Sequence, residues 1–143
     1  MKLCEFNGGC MGCCKNRSRS VEKIKDALQK NTLEFTEYKN IKTFRDRAER
    51  SKLRNGVCLN IVMIEGRIFC PLHPMRNSGQ DLRIGYCLEN FFCRTAILFN
   101  QWDEIKQNDF LNFVSGQKLD AVTYSINIYD GNLLRNFRKT LSI

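Results

Sequence analysis

The chain is poor in histidine, tryptophan and proline, with one His, one Trp and two Pro among its 143 residues. A single histidine excludes His-rich metal sites and leaves little scope for imidazole-based acid–base pairs. The scarcity of proline, the absence of low-complexity tracts and only nine glycines exclude a collagen-like or disordered chain. No apolar run approaches the ~20 residues of a bilayer span. The opening MKLCEFNGGCMGCC lacks the apolar centre of a secretory signal. The expectation is therefore a cytoplasmic protein with no membrane segment. Acidic residues are in deficit, 15 against 23 basic ones, for a formal charge of +8. The remaining composition, 43% hydrophobic and 27% charged, is that of one globular domain over residues 1–143.

Cysteine is what the chain has in excess: eight residues, four of them between positions 4 and 14. In a reducing compartment such a density favours metal ligation over disulfides. Adjacent Cys13 and Cys14 are poorly placed to bridge each other, because a disulfide restricts both Cα spacing and Cβ direction. A lone cysteine is most simply a small buried hydrophobe. Four of them among Asn and Gly fit that description badly. Gly8, Gly9 and Gly12 supply backbone freedom where a chain wraps around a metal.

The pattern along the chain predicts a mostly α fold with one small β-hairpin, a compact domain organised around Cys-rich metal centres. Residues 1–16 read as a loop. Ser20 caps a helix carrying Val21, Ile24, Ala27 and Leu28 and ending near Asn31. Asn40 caps a second, with Ile41, Phe44 and Ala48. The β-branched run 57–64 reads as one strand, returning through Glu65-Gly66 into Arg67-Ile68-Phe69. Such a hairpin carries Cys58 and Cys70 to its open end. Pro71 and Pro74 enforce a loop around His73. Residues 88–102 and 103–114 read as helices. Residues 119–129 satisfy both a strand pattern (Val122, Tyr124, Ile126, Ile128) and a helical one (Leu119, Val122, Ile126, Tyr129), and helix is preferred. Leu133, Leu134, Phe137 and Leu141 mark a last helix.

The cysteines fall into two groups of four along the sequence. Cys4, Cys10, Cys13 and Cys14 have the spacing C-x5-C-x2-C-C, and Cys58, Cys70, Cys87 and Cys93 follow later, with His73 beside Cys70. Four thiolates suffice for one tetrahedral zinc ion or one iron–sulfur cluster. Because Cys13 and Cys14 are adjacent, they can serve different centres, and ligands can be exchanged between the groups. Cys10, Cys13, Cys14, Cys70 and Cys87 occupy loop positions, where packing explains them less well. Cys58 in an apolar strand and Cys93 in an apolar helix also suit plain core positions.

The N-terminal cluster resembles the signature of the zinc- or iron-chelating cysteine-cluster proteins, the YkgJ-like family, which usually opens C-x2-C-x2-C-C. Cys70-Pro71-Leu72 and Cys93-Arg94 are similar to that family's later Cys-Pro and Cys-Arg segments. The resemblance covers residues 4–14 and 58–94. It implies that Cys4, Cys10, Cys13, Cys14, Cys58, Cys70, Cys87 and Cys93 are all metal ligands, and it implies no reaction. The chain departs from the pattern in its longer first gap and in having Leu88-Glu89-Asn90-Phe91-Phe92 where the family carries Arg-Pro.

Thiolate softness suits zinc and iron–sulfur clusters alike, so the cofactor reads as either. A zinc-stabilised nucleic-acid-binding module is the alternative, resting on Lys15, Arg17 and Arg19 and on Arg45, Arg47, Arg50, Lys52 and Arg54. Glu22, Asp46 and Glu49 interrupt those runs, and thiolate charge would offset much of the basic excess. An enzyme would need an open metal position beside His73, Asp81 and Arg83. Neither a nucleophile–base pair nor a phosphate loop accompanies those residues, and none is assigned a catalytic role.

Overall fold

Four helices begin at side chains that accept hydrogen bonds from their first-turn amides. Ser20 receives Lys23 N at 3.3 Å, and Asn40 receives Lys42 N at 2.8 Å and Thr43 N at 3.2 Å. Asp103 and Asp120 receive Lys106 N and Thr123 N, each at 2.8 Å. These bonds satisfy donors that a helix start leaves unpaired. The computed structural model describes residues 2–14, 20–47 and 52–141. Within them run α1 (Lys2–Glu5), 3-10 turns at Phe6–Gly8 and Gly12–Cys14, α2 (Val21–Glu37) and α3 (Ile41–Asp46). Strands β1 (Leu53–Arg54), β2 (Val57–Cys58), β3 (Val62–Ile64) and β4 (Arg67–Phe69) come next. A 3-10 turn at Pro74–Arg76 leads to α4 (Arg94–Gln101), α5 (Glu104–Gly116), α6 (Ala121–Tyr129) and α7 (Asn132–Leu141). This is a mostly helical single domain with two small antiparallel sheets.

The single hairpin expected from the run 57–64 is instead two hairpins. β1 pairs with β2, Leu53 opposite Cys58, and β3 pairs with β4, Val62 opposite Phe69. The run breaks at Leu59-Asn60, where Ile61 N turns back to Cys58 O at 3.1 Å. Arg47 holds the break by donating from Nη2 to Leu59 O at 2.6 Å and from Nη1 to Asn60 Oδ1 at 3.3 Å. β-branched composition cannot reveal a break made by a distant arginine.

Helix α2 continues past its expected end at Asn31. That side chain is fully buried and serves the hairpins. Its Nδ2 donates to Cys58 O at 3.0 Å and Ile61 O at 2.9 Å, and its Oδ1 accepts from Arg54 at 2.9 Å. Thr32 adds a second tie, accepting from Met63 N at 3.0 Å. The helix expected over 88–102 starts only at Arg94, with Cys93 as the extended residue before it. The N-terminal segment, expected to be a loop, contains α1 and two 3-10 turns, ordered by burial of Leu3 and Met11. Ala48 of the expected second helix lies outside the described residues.

Two apolar clusters form the core, and α6 belongs to both. Leu3, Phe99, Phe110, Phe137, Tyr124 and Ile128 meet in the first. Ile24, Leu28, Val57, Ile68, Val122 and Ile126 meet in the second. Burial on two sides explains why 119–129 satisfied both periodicities: a helix between two cores needs apolar residues on both faces.

Candidate metal centre

The N-terminal segment crosses the seam between the two cores, docked mainly on α6. Met11 N donates to Ser125 Oγ at 2.8 Å, and Tyr124 OH donates to Leu3 O at 2.7 Å. Gly9 passes so close to β4 that a Cβ there would sit 2.0 Å from Ile68 O, and its φ is +103°. Only glycine fits that crossing.

The 3-10 turn Gly12–Cys14 then sends neighbouring thiols to opposite sides. Cys10 and Cys13 pack on the first core, which contains the buried Cys93. Cys14, Cys58 and Cys70 pack on the second. Cys93 N lies 3.4 Å from Cys13 Sγ, Cys10 N donates to Cys4 O at 2.8 Å, and the Cys4 and Cys13 thiols are in contact, which joins Cys4 to the first set. Gly12 N points at Cys10 Sγ at 3.2 Å, with Ser125 Oγ 3.5 Å from the same sulfur. By the cores they pack on and the charges they feel, the thiols divide into Cys4, Cys10, Cys13, Cys93 and Cys14, Cys58, Cys70, Cys87. Relative to the grouping along the sequence, Cys14 and Cys93 have changed places. Seven of the eight, all but Cys93, line one cavity of about 690 Å³.

The electrostatics follow the same division, except that Cys13 also raises its neighbour Cys14. Burial pushes the Cys10 thiol up to about 12, opposed by Ser125 and the Gly12 amide, with Cys93 and Cys13 adding to the rise. Cys13 is raised chiefly by the Cys4 thiol, while the Cys93 thiol works the other way. Cys93 is raised above the usual thiol range by Cys13 first and burial second. Cys14 is raised by burial and then by Cys58 and Cys70. Burial takes Cys70 to about 12, with Cys58 and Cys87 contributing. Burial also raises Cys58, against the Asn60 and Ile61 amides, and Cys87, against Arg83.

All eight thiols are free. Among the described residues, no three Cys, His, Asp or Glu side chains converge as ligands of one metal ion. The sulfurs of each set therefore do not form a closed polyhedron. The donor chemistry still fits soft metals, because each set offers four sulfurs. Cys93, expected inside an apolar helix, is instead the cap residue of α4, 4% exposed, with its amide on Cys13.

His73 lines the same cavity, and its Nδ1 accepts from Met75 N at 3.1 Å. That bond leaves Nε2 as the protonated nitrogen of the neutral ring, a donor and not a ligand. Asp81 and Arg83 hold each other, with Nε to Oδ1 at 2.8 Å and Nη2 to Oδ2 at 2.9 Å. Sequence reasoning missed Ser125 and Asn31, whose only signal is a polar residue on an otherwise buried helical face.

Of the basic residues weighed for nucleic-acid contact, Arg45, Arg47 and Arg54 hold acidic partners, whereas Lys52 is exposed. Arg47 and Arg54 converge on Glu34 at 3.1 and 3.0 Å, and Arg45 pairs with Asp46 at 2.9 Å. Lys15, Arg17, Arg19 and Arg50 lie outside the described residues. No helix among the described residues is long and apolar enough to cross a membrane. Set against family models, curated protein sequences and solved structures, the chain matches none of them.

Proposed function

We propose that this is a small metal-binding protein with two four-thiolate centres, one on Cys4, Cys10, Cys13 and Cys93 and the other on Cys14, Cys58, Cys70 and Cys87. Each would hold a zinc ion or an iron–sulfur cluster. The observation that carries this reading is the divergence of Cys13 and Cys14 toward different cores, each of which already holds other thiols. Plain core thiols give no reason for eight cysteines to gather in two fours, seven of them along one cavity. Metal binding would require each set to close by rotation of its side chains, and the deprotonated sulfurs would then gain the metal's charge in place of their protons. The reading agrees with the resemblance to the YkgJ-like cysteine-cluster family and with a reducing compartment such as the cytoplasm. No catalytic role is proposed.

Elemental analysis of anaerobically purified protein, with its visible spectrum, tests this. Two zinc per colourless chain, or a brown chain with iron and acid-labile sulfide, is the expected result. A folded chain that retains no metal after anaerobic purification and reconstitution would overturn it.

A further inference from the structure

We propose that Arg83, oriented by Asp81, is the charge-compensating residue of the centre formed by Cys14, Cys58, Cys70 and Cys87. The inference rests on that centre's existence and assigns its surroundings. Four thiolates around a divalent ion or cluster core leave a net negative charge. In a partly buried site that charge needs fixed donors or cations.

The two sets of thiols differ in what the protein offers them. The first receives the Gly12 and Cys93 amides and the Ser125 hydroxyl. The second receives the Asn60, Ile61 and Leu72 amides and, in addition, has Arg83 at the crossing of its two loops. Leu82 N bonds to Leu72 O at 3.1 Å, fastening the Arg83 turn to the Cys70 loop, and Cys87 N bonds to Arg83 O at 3.2 Å. Arg83 lines the cavity with Cys70 and Cys87.

Asp81 takes the Arg83 amide, Nε and Nη2, which fixes the planar fork and leaves Nη1 without a partner among the described residues. Both side chains are only 21% exposed. A permanently charged, pre-oriented guanidinium suits this task better than a flexible ammonium. The positive charge of Arg83 acts downward on the Cys70 and Cys87 thiols, against their burial. Arg47 acts the same way on Cys58, but its donors are already spent on Glu34, Phe44 O, Leu59 O and Asn60. Of the two arginines whose charge acts on this set, Arg83 is the one with a donor still to give.

The test is chelator competition on cobalt(II)-loaded chain, following the thiolate-to-cobalt absorption. In Arg83→Gln, one of the two cobalt ions should be lost roughly tenfold to a hundredfold more readily, and its charge-transfer band should shift. The other ion should behave as in the unsubstituted chain. Arg83→Lys should recover part of the loss, and Asp81→Asn should fall between. Thermal melts of the metal-free variants separate folding from this effect. Loss of both ions equally, no change in either, or no rescue by lysine would overturn the proposal. An unsubstituted chain that binds no cobalt would overturn the two-centre reading as well, whereas two bound ions indifferent to Arg83 would overturn this inference alone.

Discussion

Ser125 connects the N-terminal segment to the interior through one oxygen. It is 1% exposed, accepts from Met11 N and lies against Cys10 Sγ. Ser125→Ala removes the acceptor of a buried amide, at a cost of about 1–3 kcal/mol. Urea unfolding of the metal-free chain should show that loss, and an unchanged midpoint would mean Met11 N finds another partner. Cys93 separates two explanations of a buried thiol. As a core residue replaced by serine it would bury a hydroxyl, costing about 1–3 kcal/mol with full metal content. As a ligand it would lose one of two metals, which is the expected result for Cys93→Ser. Retained stoichiometry would strike Cys93 from the site. Sequence composition singled out the eight thiols but not Ser125, whose one signal is a polar residue on an otherwise buried helix face.

At the scale of elements, the hairpins and α2 are held by charged and polar groups that no periodicity reveals. Asn31 looked like a helix end because asparagine often is one. Burial against Cys58 O and Ile61 O reverses that meaning. Glu34 draws Arg54 and Arg47 together behind the β2–β3 break, and Arg54, then Arg47, holds its carboxyl below the usual carboxylate range. A folded-state carboxyl that ionises more readily than the unfolded one adds stability above its unfolded value. That stability disappears as pH falls through the folded value. Glu34→Gln should therefore melt lower near neutral pH, and the gap should close on strong acidification. Because solvent reaches about a third of Glu34, the expected difference is only about 1 kcal/mol. A gap that stayed constant with pH would assign the effect to packing. The helices with strong caps, at Ser20, Asn40 and Asp103, were legible from sequence at their starts. Their ends, and the late start of α4, depended on packing partners far along the chain.

At the scale of the molecule, the arrangement turns on one dipeptide at the seam of two cores. Cys13 and Cys14 were expected in one N-terminal group, with Cys58, Cys70, Cys87 and Cys93 in another. The fold suggests an exchange, because α6 divides the interior and the Gly12–Cys14 turn straddles it. Sequence spacing could permit that exchange but could not choose it, since the choice depends on where α4 and the hairpins dock. The most direct test is the metal content of two double variants, each lacking two thiols. Cys14→Ser with Cys58→Ser should keep one centre of two, whereas Cys13→Ser with Cys14→Ser should lose both. The reverse outcome would restore the grouping along the sequence, and equal losses in the two variants would contradict two separate centres.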